Sequence, residues 1–127
     1  MTAHWAAAYI GTEWTRDATC WHFCARVWQE HFGIIVPLID IDGADPRATR
    51  RELETSAERR GWAEVAAPAE GDGVMMAKGL RPCHVGIWLD LGGVLHCIAG
   101  AGSIYTPAER VVDLGYYIIG TYRRSAA

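Results

Sequence analysis

The sequence has no marked excess of one charge, no long apolar run and no recognisable export signal. Among its 127 residues, 12 are Lys or Arg and 15 are Asp or Glu, which gives a formal net charge of -3. This balance gives no electrostatic reason to expect nucleic acid or an anionic membrane as a partner. No segment is long enough to span a bilayer, and the first residues lack a basic start and a sustained apolar core. We therefore expect synthesis in the cytoplasm, without a signal peptide.

Internal repeats, low-complexity tracts and linkers are also missing from the sequence. A chain of 127 residues, half of them hydrophobic, is large enough for one core without extra cross-links. The first half has helical patterning and the second half is rich in strand-forming residues. We therefore predict one α+β domain that spans residues 1–127.

The chain has four cysteines, and their pattern favours neither disulfides nor zinc. A chain of this size without an export signal is expected to keep its thiols free. The cysteines and nearby histidines carry enough sulfur and nitrogen for zinc, but adjacent residues on a strand point to opposite faces. Their spacing also matches no common zinc-finger pattern. We therefore predict no metal and no other cofactor. The four cysteines are Cys20, Cys24, Cys83 and Cys97.

A helix is predicted from Cys20 to Phe32, where apolar residues recur every three or four positions and Gly33 follows. Thr19 and Asp17 are both suitable caps, so the helix begins at or beside Cys20. Free backbone N–H groups and the helix dipole at that end favour a thiolate. The alternative for Cys20 is a buried structural thiol, which is the commoner fate of a cysteine on an apolar helix face.

Further elements are predicted on both sides of the middle of the chain. An extended connector at residues 34–39 precedes a second helix that begins at Asp45 and Pro46 and ends before Gly61. The simplest interpretation of its arginines is that they lie on a solvent-exposed face of this predicted helix. Strands are predicted at residues 72–77, 84–89, 94–98 and 116–122. The turn at residues 91–94 makes His84 and His96 members of one antiparallel hairpin, although strand parity alone does not prove that they share a face.

An ordered set of short motifs resembles the NlpC-type cell-wall peptidases, a branch of the papain-like cysteine peptidases. The set runs from Tyr9-Ile10-Gly11 and Cys20-Trp21 to Gly71-Asp72, His84-Val85-Gly86 and Val94-Leu95-His96. The Cys-Trp pair and the Val-Leu-His-Cys run are most similar to peptidase domains in the tail tips of phages and gene-transfer particles. The resemblance implies a helix packed on an antiparallel sheet, with the nucleophile at the helix N-terminus.

The resemblance also implies roles for individual residues. Cys20 is expected to attack an amide carbonyl, His84 to take and return the proton, and His96 to orient His84. The backbone N–H of Cys20 is the expected oxyanion donor, with the Tyr9 hydroxyl near the same pocket. The implied substrate is the peptide stem of peptidoglycan, at the bond between D-glutamate and the diamino acid. The implied partners are phage-like tail-tip proteins, in which the chain is incorporated.

Two positions depart from the pattern of the family, which has Asp before the nucleophile and Ser after it. Thr19 and Trp21 stand there instead, which puts recognition of the free amine of the stem in doubt. Trp21 suits packing and substrate stacking equally, and His22 is expected to have a surface or packing role. Two alternatives remain open: an inactive structural tail-assembly component of the same fold, or a cysteine amidase or acyltransferase that acts on another substrate.

Overall fold

The computed structural model describes residues 4–36, 61–79 and 81–124. The second predicted helix at residues 45–60 and the end of the connector before it lie outside these ranges. The described residues form one α-helix, two 3-10 helices and six strands. The α-helix α1 is Cys20–Phe32, and the 3-10 helices are Trp5–Tyr9 and Ala108–Leu114. The strands are β1 Trp62–Glu64, β2 Gly73–Lys78, β3 Arg81–Leu89, β4 Gly93–Ile98, β5 Gly102–Pro107 and β6 Tyr117–Arg124.

The six strands form one antiparallel sheet in the order β1-β6-β2-β3-β4-β5. Strands β2 to β5 follow one another through short turns, and β6 then returns to pair with the free side of β2. This return places the start of β6 beside the end of β2. The sheet therefore brings the end of β2 next to the start of β6, which lies about 40 residues later in the chain.

Helix α1 begins with Thr19 as its N-cap and ends at Gly33, whose φ of 68° is left-handed. His22, at the third helical position, accepts a hydrogen bond from the Thr19 amide at 3.3 Å through Nδ1. This contact is one half of a capping box, with His22 in the position that Glu or Gln usually occupies. The prediction of α1 is therefore confirmed at both ends, and His22 has a local structural role.

The sheet separates two apolar clusters because successive side chains of a strand point to opposite faces. On one face, Val85, Ile87 and Leu95 share a cluster with the buried side of α1, including Trp28. On the other face, Val74, Met76 and Val94 pack with Val111 of the second 3-10 helix.

The turn at Gly71 and Asp72 fixes the start of β2. Arg123 donates to both carboxylate oxygens of Asp72, at 2.9 and 2.7 Å, and the Ala69 amide donates to the same carboxylate. The indole N–H of Trp28 donates to the Gly71 carbonyl at 2.8 Å. One buried turn therefore joins α1, β2 and β6, and it performs the turn function predicted for these residues.

The four predicted strands are present, with ends that differ by up to three residues, and two further strands were not predicted. Strand β5 begins within a run of glycines that predicts only a turn, and it also contains Ser103 and Pro107. Strand β1 has three residues. The sequence pattern does not indicate either strand, because neither has regularly alternating apolar and polar residues. Both depend on pairing with neighbouring strands. None of the helices in the described ranges is long and apolar enough to cross a membrane.

Candidate active site

His84 and His96 meet where strands β3 and β4 diverge. The two strands pair only at Ile87–Leu95, Trp88–Val94 and Leu89–Gly93. Continuing that register places both histidines on the same sheet face, which settles the question that parity left open. The Nε2 atom of His84 lies 2.8 Å from Nδ1 of His96, and both side chains are buried. The structure therefore brings together the predicted base and the predicted orienting residue.

A third side chain, which the sequence did not indicate, extends this contact. The Nε2 atom of His96 lies 2.9 Å from Oγ1 of Thr106, and His96 is completely buried. Thr106 lies on β5 and pairs with Val94 of β4. Because β5 was not predicted, nothing in the sequence pattern placed this hydroxyl beside His96.

Gly86 allows His96 to approach β3. A Cβ atom added at Gly86 would lie 3.0 Å from the Cβ of His96 and 3.1 Å from the Leu95 carbonyl oxygen, and closer still to Val94. Any side chain at this position would therefore push β4 away from β3. The glycine two residues after His84 is needed for the contact between the histidines.

Cys20 lies at the first position of α1, against the backbone of β3. The backbone amides of Val85 and Trp21 are placed to donate hydrogen bonds to its sulfur. Val85 follows His84 directly, so the sulfur of the predicted nucleophile lies against the backbone of the strand that carries the predicted base. One turn later, the Cys24 thiol donates to the Val85 carbonyl at 3.7 Å, in the buried position predicted for it.

The charge state of Cys20 differs from the expectation of a thiolate. Burial raises the pKa of the Cys20 thiol to about 11, although the amides of Val85 and Trp21 oppose this shift. The helix terminus supplies donors, but the site is nearly closed to water, and desolvation penalises the charged form more strongly. The resting thiol is therefore protonated at neutral pH.

The two histidines are uncharged under the same conditions. Burial lowers the pKa of His84 well below its ordinary value, and repulsion from the protonated form of His96 and from Lys78 adds to this effect. Burial alone lowers the pKa of His96 to about 4. A neutral His84 is able to accept a proton from a thiol. Because its Nε2 atom is engaged with His96, Nδ1 is the nitrogen that remains for that exchange.

Tyr116 and Lys78 complete the surroundings of His84. The Tyr116 ring stacks on the His84 imidazole with a centroid distance of 4.7 Å and an interplanar angle of 20°. The Nζ atom of Lys78 lies 4.5 Å from the centre of the Tyr116 ring. Burial, followed by the nearby Cys83 and Cys20 thiols, raises the pKa of the Tyr116 hydroxyl. Neither residue was a candidate from the sequence, because the contact depends on β6 pairing with β2.

The three residues predicted to bind substrate or the oxyanion have other contacts. The Tyr9 hydroxyl donates to Glu30 at 3.1 Å, and Glu30 lies ten residues beyond Cys20 on α1, which is about 15 Å along the helix axis. Trp21 is buried, and its ring packs edge-on against Trp28 at 5.7 Å. Thr19 is buried as the helix cap. The structure therefore places the Tyr9 hydroxyl beside Glu30, Trp21 in the core and Thr19 at the helix cap, and the substrate and oxyanion roles expected of these residues stay predictions.

The cysteines and histidines of the site do not form a metal centre. All four cysteines are free thiols. Within residues 4–36, 61–79 and 81–124, no group of three or more His, Cys, Asp or Glu side chains has the geometry to hold a metal ion. The arrangement instead suits proton transfer along a chain of hydrogen bonds.

Comparison with solved structures identifies the fold. The chain is similar to the crystal structure of the NlpC/p60 domain of the peptidoglycan hydrolase SagA, with a TM-score of 0.58 and 18% sequence identity. The match covers 93% of this chain and 92% of that domain. No protein-family model matches the sequence, and neither does any curated protein. The predicted α+β papain-like fold of the NlpC type is therefore confirmed as a fold.

Proposed function

We propose that this protein is a cysteine hydrolase that cleaves an amide in the peptide stem of peptidoglycan. The observation that carries the proposal is the buried contact between His84 and His96 on the strand against which the Cys20 sulfur lies, at a helix N-terminus. It supports the assignment of His84 as the base and His96 as the orienting residue. The similar fold of a peptidoglycan hydrolase domain supports the choice of substrate.

In the first half of the proposed reaction, the Cys20 thiol gives its proton to Nδ1 of His84 as the sulfur attacks the amide carbonyl carbon. His96 holds the imidazole by its Nε2 atom and stabilises the positive charge that forms. The Cys20 backbone N–H has no intrahelical partner at this helix position and is the proposed donor to the oxyanion. His84 then protonates the leaving amine, and the carbonyl carbon remains bound to sulfur as a thioester.

In the second half, His84 takes a proton from a water molecule that attacks the thioester. Collapse of this second tetrahedral species breaks the carbon–sulfur bond and releases a carboxylic acid, which ionises in water, and His84 returns its proton to the Cys20 sulfur. The raised pKa of Cys20 fits a mechanism in which the thiolate forms during attack rather than before it. No metal or organic cofactor takes part in these steps.

The bond between D-glutamate and the diamino acid is the proposed point of cleavage. This part rests on the resemblance of the motifs around Cys20 and His84 to NlpC-type peptidases. Association with a phage-like tail, for local opening of the wall during DNA delivery, is proposed on the Cys20-Trp21 and Val94-Leu95-His96-Cys97 runs alone. On this proposal the chain is made in the cytoplasm and delivered by the particle that contains it.

One observation favours a second candidate, an inactive structural tail component of the same fold. Cys20 is only 6% exposed and its thiol is protonated at rest. A site that stayed closed in this way would hold the fold together without cleaving a substrate. The two candidates differ in whether substrate reaches the sulfur.

The test is mass spectrometry of purified peptidoglycan fragments incubated with the reduced protein and with its Cys20→Ala variant. We expect new stem-peptide fragments from the wild type and none from the variant, and the fragment masses identify the bond. A Cys83→Ser variant is the matched control, because it removes a different thiol of the same region. Cleavage that persists in Cys20→Ala would refute the proposed nucleophile. No cleavage by a folded wild type with an intact thiol would favour the structural component or a different amide or ester.

A further inference from the structure

We propose that Thr106 is a positioning residue whose hydroxyl oxygen accepts a hydrogen bond from Nε2 of His96 and so keeps Nδ1 of His84 free of a proton. The catalytic consequence rests on the proposed function, whereas the protonation pattern does not. Three buried side chains carry the inference: Thr106, His96 and His84.

The contacts form a chain of two hydrogen bonds in which every ring nitrogen except one is engaged. His84 Nε2 lies 2.8 Å from His96 Nδ1, and His96 Nε2 lies 2.9 Å from Thr106 Oγ1. A neutral imidazole has one N–H donor and one acceptor nitrogen. Each bond in the chain needs one of each, so the direction of one bond fixes the direction of the other.

Only one of the two possible directions suits a base. If His96 Nε2 carries the proton and donates to Thr106, then His96 Nδ1 accepts from Nε2–H of His84, and Nδ1 of His84 has a free lone pair. If Thr106 donates to His96 instead, both bonds reverse and Nδ1 of His84 carries the proton. In that second state, His84 has no nitrogen with which to accept a proton from Cys20.

The protonated state of His84 requires the same direction. An imidazolium carries hydrogen on both nitrogens, so its Nε2 atom must donate to His96, and His96 must donate to Thr106. Thr106 is therefore an acceptor both before and after proton transfer from Cys20. Its hydroxyl oxygen acts through His96, without contact with the reacting atoms.

The experiment measures the tautomers of both histidines by long-range ¹H–¹⁵N correlation spectra of labelled protein near pH 7.5. In the wild type, we expect both rings to carry hydrogen on Nε2. In Thr106→Val, which keeps the side-chain shape but has no acceptor, both rings should shift toward the Nδ1–H form. Thr106→Ser should restore the wild-type pattern. A wild-type spectrum with Nδ1–H on His84 would overturn the proposal without any variant.

Activity provides the second readout once a substrate is in hand. Thr106→Val should lower kcat with KM unchanged, by roughly ten- to a hundredfold, taking the range known for hydrogen-bond partners of metal-ligating histidines as a guide. Thr121→Val is the matched control, because it removes the hydroxyl of another strand threonine, which donates to the Val65 carbonyl at 2.8 Å and lies outside the histidine chain. If Thr106→Val shifts the tautomers but the wild type cleaves no peptidoglycan, the proposed function is wrong and the role of Thr106 in setting the tautomers stands. A folded Thr106→Val with unchanged tautomers and unchanged kcat would overturn the role of Thr106.

Discussion

Gly86 and His96 are so close that a methyl group on Gly86 would lie 3.0 Å from the Cβ atom of His96. The contact occurs where β3 and β4 stop pairing, one position from Ile87–Leu95. The absence of a side chain at Gly86 therefore decides how near His96 comes to His84. A feature of the backbone, rather than a polar residue, sets the geometry of the proposed base.

Gly86→Ala is expected to reduce the free energy of unfolding by about 1–3 kcal/mol, the usual cost of forcing an extra methyl into a packed region. The added carbon also meets the Leu95 carbonyl and Val94, which leaves little room for relief. Urea unfolding followed by tryptophan fluorescence measures the loss. Gly73→Ala is a suitable control, because its added carbon first meets the edge of the Trp62 ring at 3.3 Å. Equal stability of Gly86→Ala and the wild type would contradict the packing argument.

Alkylation of Cys20 by iodoacetamide is expected to be slow at pH 7. Because burial raises the pKa of this thiol to about 11, the thiolate fraction should rise about tenfold for each pH unit up to that value. Mass spectrometry of peptides at a series of pH values measures the rate at Cys20. The half-exposed Cys83 in the same digest serves as a reference for the reagent. Rapid and selective labelling of Cys20 at pH 6 would instead indicate a resting thiolate.

The sequence predicted the parts of the site that have local signals. Helical spacing and capping located Cys20 at the start of α1, and the hairpin placed His84 and His96 on paired strands. Thr106 and Tyr116 have no such signal. Thr106 lies on a strand that the glycine, serine and proline content concealed, and Tyr116 reaches His84 only because β6 pairs with β2.

The expected functions of Tyr9 and Trp21 stay predictions. Both positions came from a resemblance between motifs, which gives the residue type and its order in the chain but not its contacts. In the structure, Glu30 accepts the hydrogen bond of the Tyr9 hydroxyl, and Trp28 packs against Trp21. The protonation state of Cys20 could not be predicted from the sequence either, because it depends on burial, which only the folded chain defines.

Acid should weaken the fold through His96. Its pKa is about 4 in the folded protein, against about 6.5 for a free imidazole, so the unfolded chain binds the proton first as pH falls. Titration of His96 therefore leaves the free energy of unfolding unchanged above about pH 6.5. That free energy falls as the pH drops toward 4, by about 3 kcal/mol in all. His84, whose pKa is also lowered, acts in the same direction.

Urea unfolding of the wild type and of His96→Asn between pH 7.5 and 4.5 tests this linkage. Asparagine keeps polar atoms in the buried position but does not titrate there. The variant should be less stable at neutral pH and should lose less stability on acidification than the wild type. Identical pH slopes for the two proteins would show that His96 does not carry the acid sensitivity.

Lys78 is expected to contribute, after burial and His96, to the position of the acid limb of the pH profile of kcat/KM. Its positive charge, held 4.5 Å from the centre of the Tyr116 ring, lowers the pKa of the neighbouring His84. Replacing it in Lys78→Met removes that charge, so the pKa of His84 should rise and the acid limb should move to higher pH. The pH dependence of kcat/KM reports the free enzyme, which is the state described here.

Lys78→Arg is the matched control, since it keeps the positive charge and the ability to lie over an aromatic ring. Its acid limb should stay close to that of the wild type, while Lys78→Met moves. A shift of the same size in both variants would assign the effect to packing against Tyr116 rather than to charge. No shift in either would mean that solvent screens Lys78 from His84, and that burial together with His96 sets the pKa of the base.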